Sequence, residues 1–186
     1  MKKIWKFIVI ATPLILICAT ATAFFLKYPT NEKQAKYTEY INQADTLLAQ
    51  KEYAKATNLY NNAAELVSNK YEAFEGIAKI LSIKNQLGQL TDVISKSTSG
   101  LQSQELAKLY EILASGYVAA KNPQAAKPFY EKSLSYDSNL EGARLGMAKC
   151  LLLLGETEKV ADYLNLSKES ALYEDQYVLK LFSKTI

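Results

Sequence analysis

The chain has 186 residues, a hydrophobic content of 49% and a formal net charge of +3 from 22 basic and 19 acidic side chains. This near-balance of charge gives no reason to expect a nucleic-acid partner. The chain has no histidine, and its two cysteines, Cys18 and Cys150, fit neither a metal site nor a disulfide framework. We therefore predict no enzyme activity, no metal and no cofactor, and we expect Cys150 to be a buried structural thiol.

The N-terminal segment is predicted to be a membrane anchor. A short basic start precedes residues 7–26, an uncharged run in which sixteen of twenty residues are apolar. Twenty helical residues at ~1.5 Å each span the ~30 Å hydrocarbon core of a bilayer. We therefore predict that residues 1–27 form a transmembrane helix that contacts lipid through residues 7–26, and that residues 28–36 form a polar linker.

Two other roles for this segment stay open. A cleavable signal peptide fits a small-residue site at residues 19–21 or 21–23, although the apolar run continues past both to Leu26. A lipoprotein signal fits poorly, because Ile17 stands where a small residue would precede Cys18. Lysines flank the run almost equally on both sides, and the compact basic start favours a cytoplasmic N-terminus with the rest of the chain on the other side.

From Tyr40 to Ser167 the chain repeats one pattern four times, with spacings of 34, 36 and 34 residues. One series of small residues is Ala44, Ala78, Ala114 and Ala148. The other series are Ala56, Leu90, Ala126 and Val160; Tyr60, Ile94, Tyr130 and Leu164; and Ala63, Ser97, Ser133 and Ser167. A period of 34 residues with helical patterning inside each unit predicts an all-α solenoid of helical hairpins.

Each unit is predicted to contain two helices joined by a short turn. In the first unit, apolar residues recur at three- and four-residue spacing on both sides of a polar turn at residues 50–52. In the third, Asn122 and Pro123 indicate a helix start, because asparagine caps helices well and proline is favoured at the first helical position. In the fourth, Gly155 marks the break between the helices.

These units resemble the tetratricopeptide repeat family, in which small residues allow the two helices of a hairpin to cross closely. The matching residues of the first unit are Tyr40, Ala44, Leu47, Ala56 and Tyr60. Those of the third are Tyr110, Leu113, Ala114, Tyr117, Ala126 and Tyr130. The predicted units are residues 37–70, 71–106, 107–140 and 141–170. Residues 171–186 are expected to form a capping helix, which a solenoid needs at its end, and the alternative is a helix that binds a partner.

Some features depart from the family pattern. No unit ends with the usual proline, and the second unit has two extra residues and a polar second helix, at residues 90–100, that is poor in helix formers. We expect irregular geometry there, and a bend at Pro128 in the third unit. We expect the repeated tyrosines to be core residues rather than a binding surface; these are Tyr40, Tyr60, Tyr110, Tyr117 and Tyr130.

The resemblance implies that the first helices of the hairpins line a concave groove that binds a protein or peptide. The residues placed there are Asn42, Asp45, Glu72, Glu75, Lys79, Lys108, Glu111, Ser115 and Lys149. For Glu72, Glu75 and Lys79 the alternative is a solvated helix face with local ion pairs. The family's basic clamp for a terminal carboxylate is not matched, because Ile41 and Asp45 stand where lysine and asparagine are needed.

The sequence thus predicts a membrane-anchored scaffold that helps to assemble a membrane-associated complex. We expect a bacterial inner-membrane protein with its repeats in the periplasm and a protein or peptide partner in or near the membrane. The alternative is a periplasmic or secreted peptide-binding module that is released by signal-peptide cleavage.

Overall fold

The computed structural model describes residues 30–67, 70–97 and 99–164. Within those ranges the chain forms eight α-helices and one short 3-10 helix, and it has no strand. The helices are α1 (Thr30–Ala49), α2 (Tyr53–Leu66), α3 (Tyr71–Ile83), α4 (Leu87–Ser97), α5 (Ser103–Ala119), α6 (Pro123–Tyr136), α7 (Glu141–Leu154) and α8 (Val160–Leu164), and the 3-10 helix is Thr157–Lys159. The predicted all-α class is therefore confirmed for the described residues.

Two predicted elements cannot be compared with this structure. The transmembrane anchor at residues 1–27 and the capping helix at residues 171–186 lie outside the described residues. Among the helices that are described, none combines the length and the apolar character needed to cross a bilayer.

Consecutive helices pair as hairpins, and all four hairpin turns have the same backbone conformation. One residue of each turn adopts a left-handed conformation, with φ between 56° and 78°. It is the second residue after the helix in the first three turns and the first residue after the helix in the fourth. These residues are Lys51, Asn85, Lys121 and Gly155. In each turn, the N–H of this residue and that of the next residue donate to carbonyl oxygens in the last turn of the first helix, as in a Schellman motif. Only the fourth turn has glycine at the left-handed position, so the conformation of the other three turns was hard to predict from the sequence.

The repeated small residues lie in the core. Ala44, Ala78, Ala114 and Ala148 are fully buried, and so are the four residues of the second series. At the crossing of α5 and α6, the Ser133 hydroxyl donates to the Ala107 carbonyl oxygen over 2.7 Å, which satisfies a buried polar side chain. The predicted burial of these positions and of the Cys150 thiol is confirmed.

The repeated tyrosines are core residues, as predicted. Tyr60 and Tyr130 are 0% and 2% exposed, and Tyr40, Tyr110 and Tyr117 are partly buried against the core clusters. The Tyr60 ring fills the space above Gly76 of the next hairpin, where an added Cβ atom would lie 2.2 Å from the ring. The Tyr130 ring packs on Gly146 in the same way, and an added Cβ atom there would lie 2.3 Å from the ring. Each ring therefore packs one hairpin against the next.

The structure bears on three local expectations. Helix α1 begins at Thr30, so residues 30–36 continue the first helix instead of forming a linker; Glu, Lys, Gln and Ala are all good helix formers. Helix α4 is regular because Leu90 and Ile94 are buried, and burial outweighs its poor propensity. Helix α6 runs through Pro128 to Tyr136 without interruption, and the bend expected at Pro128 stays a prediction.

Candidate partner-binding groove

An open groove with a volume of about 430 Å³ runs across the first helices of three successive hairpins. Helix α1 contributes Leu48 and Ala49, the turn after it contributes Lys51, and the start of α2 contributes Tyr53. The remaining lining residues are Lys79, Ser82 and Ile83 from α3, and Glu111, Ile112 and Ser115 from α5. The groove therefore brings together Lys79, Glu111 and Ser115 of the residues that were predicted for it.

The predicted cluster on α3 is partly neutralised by local contacts. Lys79 Nζ lies 2.9 Å from Glu75 Oε1, in an ion pair one helical turn apart. Glu72 points elsewhere, because its carboxylate accepts a hydrogen bond of 2.9 Å from the Tyr37 hydroxyl on α1. The local ion pair that we considered as an alternative therefore forms, and Lys79 also lines the groove.

Two tyrosine hydroxyls hold predicted groove residues in place. Tyr60 donates to the Asp45 carboxylate over 2.5 Å, and the hydroxyls of Tyr130 and Ser115 lie 3.1 Å apart. Burial raises the pKa of Tyr60, and the hydrogen bond to Asp45 raises it further by a smaller amount. Burial also raises the pKa of Tyr130, to about 12. Both hydroxyls are therefore protonated at neutral pH, and their hydrogen bonds orient the side chains of Asp45 and Ser115.

Glu111 is a partly buried carboxylate between α5 and α7. Its side chain lies against α7 at Gly142, where an added Cβ atom would lie 2.2 Å from Oε1. Burial raises the pKa of Glu111, the positive charge of Lys108 lowers it, and the negative charge of Glu75 raises it further. No hydrogen bond or ion pair joins Glu111 to another residue in the described part of the chain.

Lys108, another residue predicted to line the groove, lies near Tyr71. Its Nζ atom is 5.5 Å from the centre of the Tyr71 ring, within the range of a cation–π contact. The Tyr71 hydroxyl is buried and has no hydrogen-bond partner among the described residues. Burial and the nearby Glu75 charge raise the pKa of Tyr71, so this hydroxyl stays neutral.

Six of the nine predicted residues do not line the groove. Asn42 is exposed on α1, and its carbonyl oxygen accepts a hydrogen bond from Thr46. Lys149 is half-buried on α7, the first helix of the fourth hairpin. Asp45, Glu72, Glu75 and Lys108 support or flank the groove rather than form its wall.

The apolar part of the groove was missed by the sequence analysis. Its members are Leu48, Tyr53, Ile83 and Ile112. Ile83 is 58% exposed, and Leu153 on α7 is 51% exposed. The sequence contained a signal for these two residues. Ile83 and Leu153 stand two positions before the left-handed turn residue of their hairpins, and the other two hairpins have the small residues Ala49 and Ala119 at that position.

Comparisons with known proteins identify the repeat. Residues 117–172 match the tetratricopeptide repeat family model. Residues 117–172 therefore contain a tetratricopeptide repeat. Among solved structures, YrrB, described as a tetratricopeptide repeat protein with an unusual peptide-binding site, matches with a TM-score of 0.51 and 22% identity over 80% of this chain and 75% of that chain. PilF of Pseudomonas aeruginosa matches with a TM-score of 0.37 and 16% identity over 73% of this chain and 76% of that chain. No curated protein matches the sequence.

The tetratricopeptide repeat indicates a general role in binding. This fold mediates interaction with proteins or peptides, and the similarity to YrrB shows the shared architecture. The comparisons indicate no catalytic family. In the part of the chain that the structure describes, no group of histidine, cysteine or acidic residues could hold a metal ion.

Proposed function

We propose that this chain is a membrane-anchored scaffold whose groove holds an extended segment of a partner protein during assembly of a membrane-associated complex. The groove carries this proposal, because it is open and crosses three first helices in succession. An open groove of this kind can bind a peptide that lies across the hairpins. The wall combines apolar side chains with a few polar groups that are held in place, as in most binding sites.

The anchor is supported by the sequence of residues 7–26. An uncharged segment of that length matches the bilayer core, and lysines flank it on both sides. We place the chain in a bacterial inner membrane, with its repeats on the periplasmic side. The second candidate is a periplasmic or secreted peptide-binding module, which the small-residue sites at residues 19–21 and 21–23 favour.

We also propose that residues 171–186 cap the solenoid, after four repeats with the boundaries given above. The last described hairpin leaves Leu152, Leu154 and Leu164 only partly buried against the C-terminal core cluster. An outermost repeat has no following hairpin to cover its apolar face, so a terminal capping element is needed.

Reversing three charges near the groove is expected to weaken partner capture by about tenfold or more while leaving the fold intact. The variant is Glu75→Lys, Lys79→Glu and Lys108→Glu, which keeps the ion pair on α3 in reversed order. The measurement is cross-linking pull-down from membranes of the source cells, with thermal melting monitored by circular dichroism.

A matched control changes the same number of charges on the second helices. Glu65→Lys, Lys96→Glu and Lys132→Glu alter exposed residues of α2, α4 and α6 and shift the net charge equally. This control should capture the partner like the unmodified chain. Equal capture by both variants would place the binding site outside the groove.

Protease added to intact spheroplasts is expected to digest the chain beyond Tyr28, because a cytoplasmic N-terminus places the repeats outside the inner membrane. The measurement is immunoblotting with an N-terminal tag, together with the mass of the mature chain. Intact Met1 with membrane retention supports the anchor, whereas a new N-terminus near Thr22 or Phe24 supports the released module. Protection until lysis would put the repeats in the cytoplasm.

A further inference from the structure

The second hairpin departs from its neighbours at the middle of the groove. In the first hairpin, the Tyr60 hydroxyl donates to Asp45, which stands fifteen positions earlier on the first helix. The third hairpin repeats this contact between the equivalent tyrosine and a serine. In the second hairpin the equivalent residues are Ile94 and Lys79, and an isoleucine side chain has no group that can form a hydrogen bond. Lys79 therefore lacks the hydrogen bond that holds its two counterparts.

Lys79 pairs instead with Glu75, which stands between two possible partners. Tyr71, Glu75 and Lys79 follow one another at intervals of four residues, so they lie on one face of α3. Lys79 Nζ lies 2.9 Å from Glu75 Oε1. The Tyr71 hydroxyl, one turn in the other direction, is buried and has no hydrogen-bond partner among the described residues. After burial, the charge of Glu75 is the largest cause of the raised pKa of Tyr71, so this carboxylate lies close to the hydroxyl.

The Tyr71 hydroxyl lacks a partner because the next hairpin differs from the pattern. At the equivalent place between the first two hairpins, the Tyr37 hydroxyl donates to Glu72 over 2.9 Å. In the following hairpin, the residue equivalent to Glu72 is Lys108, whose ammonium group lies over the Tyr71 ring. An ammonium group donates hydrogen bonds and cannot accept one. Glu75 is therefore the nearby acceptor that the hydroxyl could gain.

The charges along the groove favour an acidic ligand side chain. Lys51 and Lys79 both line the groove, and Lys51 has no ion pair within the described ranges. Lys84 adds a third positive charge, 6.0 Å from the centre of the Tyr53 ring in the groove wall. Of the described residues that line the groove, Glu111 is the acidic one, and it lies against the N-terminal end of α7, where the helix dipole favours a negative charge. A partner carboxylate would therefore complement the lysines.

We propose that the groove binds an extended partner segment through an acidic side chain that pairs with Lys79, and that Glu75 then turns to accept a hydrogen bond from the Tyr71 hydroxyl. Lys79 exchanges one carboxylate for another, and the buried hydroxyl gains the acceptor that it lacks. This inference rests on the proposed function, because it specifies the chemistry of the segment that the scaffold holds.

The acidic residue is expected to lie inside the segment and not at its end. Helix α3 packs between α1 and α5, so Lys79 is on the middle one of the three helices that form the groove. Packed helices lie ~8–10 Å apart and an extended chain advances ~3.3 Å per residue. Apolar residues about two or three positions to either side of the acidic residue would therefore reach Leu48 and Ile112 in the groove wall.

Selection of random dodecapeptides on the full chain in detergent tests this specificity. The unmodified chain is compared with Lys79→Met, which keeps the aliphatic part of the side chain and removes the charge. The matched control is Lys159→Met, which removes an exposed lysine from an ion pair with Glu156 outside the groove. The unmodified chain and the control should enrich an internal aspartate or glutamate flanked by large apolar residues. Selection on Lys79→Met should keep the apolar residues and lose the acidic one.

Affinities of one enriched peptide, synthesised with an amidated C-terminus, test the exchange of partners. Lys79→Met should weaken binding by about tenfold. Tyr71→Phe should weaken it by about threefold, because Glu75 then has no hydroxyl to bind when it leaves Lys79. This second loss should vanish in a chain that also carries Glu75→Ala. Thermal melting of Tyr71→Phe without peptide should show no loss of stability, because the hydroxyl that it removes has no partner in the unbound chain.

The outcomes that contradict the inference are distinct from those that contradict the proposed function. Peptides that need Ile83 in the groove wall but carry no acidic residue, or carry one that Lys79→Met does not affect, would overturn the inference alone. So would a Tyr71→Phe loss that persists with Glu75→Ala, or binding that requires a free C-terminal carboxylate. A chain that dimerises, and becomes monomeric with Lys79→Met, would show that a second copy occupies the groove. Enrichment of no peptide that depends on the groove would overturn both proposals.

Discussion

Replacing Tyr130 with alanine is expected to lower the free energy of unfolding by about 3–5 kcal/mol, the range for removing a buried aromatic ring. The ring is 2% exposed and fills the space above Gly146, so its removal leaves a cavity between the third and fourth hairpins. Urea denaturation followed by far-ultraviolet circular dichroism measures the change.

Tyr130→Phe is the matched control. It keeps the ring and removes the hydroxyl that lies 3.1 Å from Ser115 Oγ, so its cost should be about 1 kcal/mol. Equal destabilisation by the two variants would mean that Tyr130 stabilises the chain through its hydrogen bond with Ser115 within the third hairpin, and not through the packing of its ring against Gly146 of the fourth.

Replacing Gly76 with alanine is expected to destabilise the chain by about 1–3 kcal/mol, the usual cost of overpacking a core. Alanine normally stabilises a helix by ~1 kcal/mol relative to glycine. Destabilisation by Gly76→Ala would therefore show that the Tyr60 ring leaves no space for a side chain at this position. At Gly76 the new Cβ atom would lie 2.2 Å from the Tyr60 ring, and the ring has no exposed surface into which it can move.

Gly88→Ala is the comparison, because it is expected to change the stability of the chain in the opposite direction. It lies in α4, and an added Cβ atom there would have no heavy atom within 4 Å, so Gly88→Ala should stabilise the chain by up to ~1 kcal/mol. Gly146→Ala should behave like Gly76→Ala, because its Cβ atom would lie 2.3 Å from Tyr130. Thermal melts of the three variants test the ring-on-glycine contact, which stabilisation by Gly76→Ala would refute.

The core was predictable because it depends on periodicity. The crossing positions Ala44, Ala78, Ala114 and Ala148 must be small wherever two helices pack closely, so the requirement recurs in every unit. The hairpin turns were less visible, because Lys51 and Lys121 adopt the left-handed conformation that glycine normally signals. Their conformation is stabilised by the two Schellman hydrogen bonds, which depend on backbone geometry and not on side-chain identity.

The sequence by itself determined the helical hairpins, their register and the buried small residues, since each follows from contacts that repeat every 34 or 36 residues. Only the tertiary structure decided which of the predicted acidic side chains have a partner. Asp45 is held by Tyr60, and Glu75 by Lys79, whereas Glu111 faces Gly142 without a partner among the described residues. These differences arise from distances between side chains on separate turns and hairpins, which a periodic pattern does not encode.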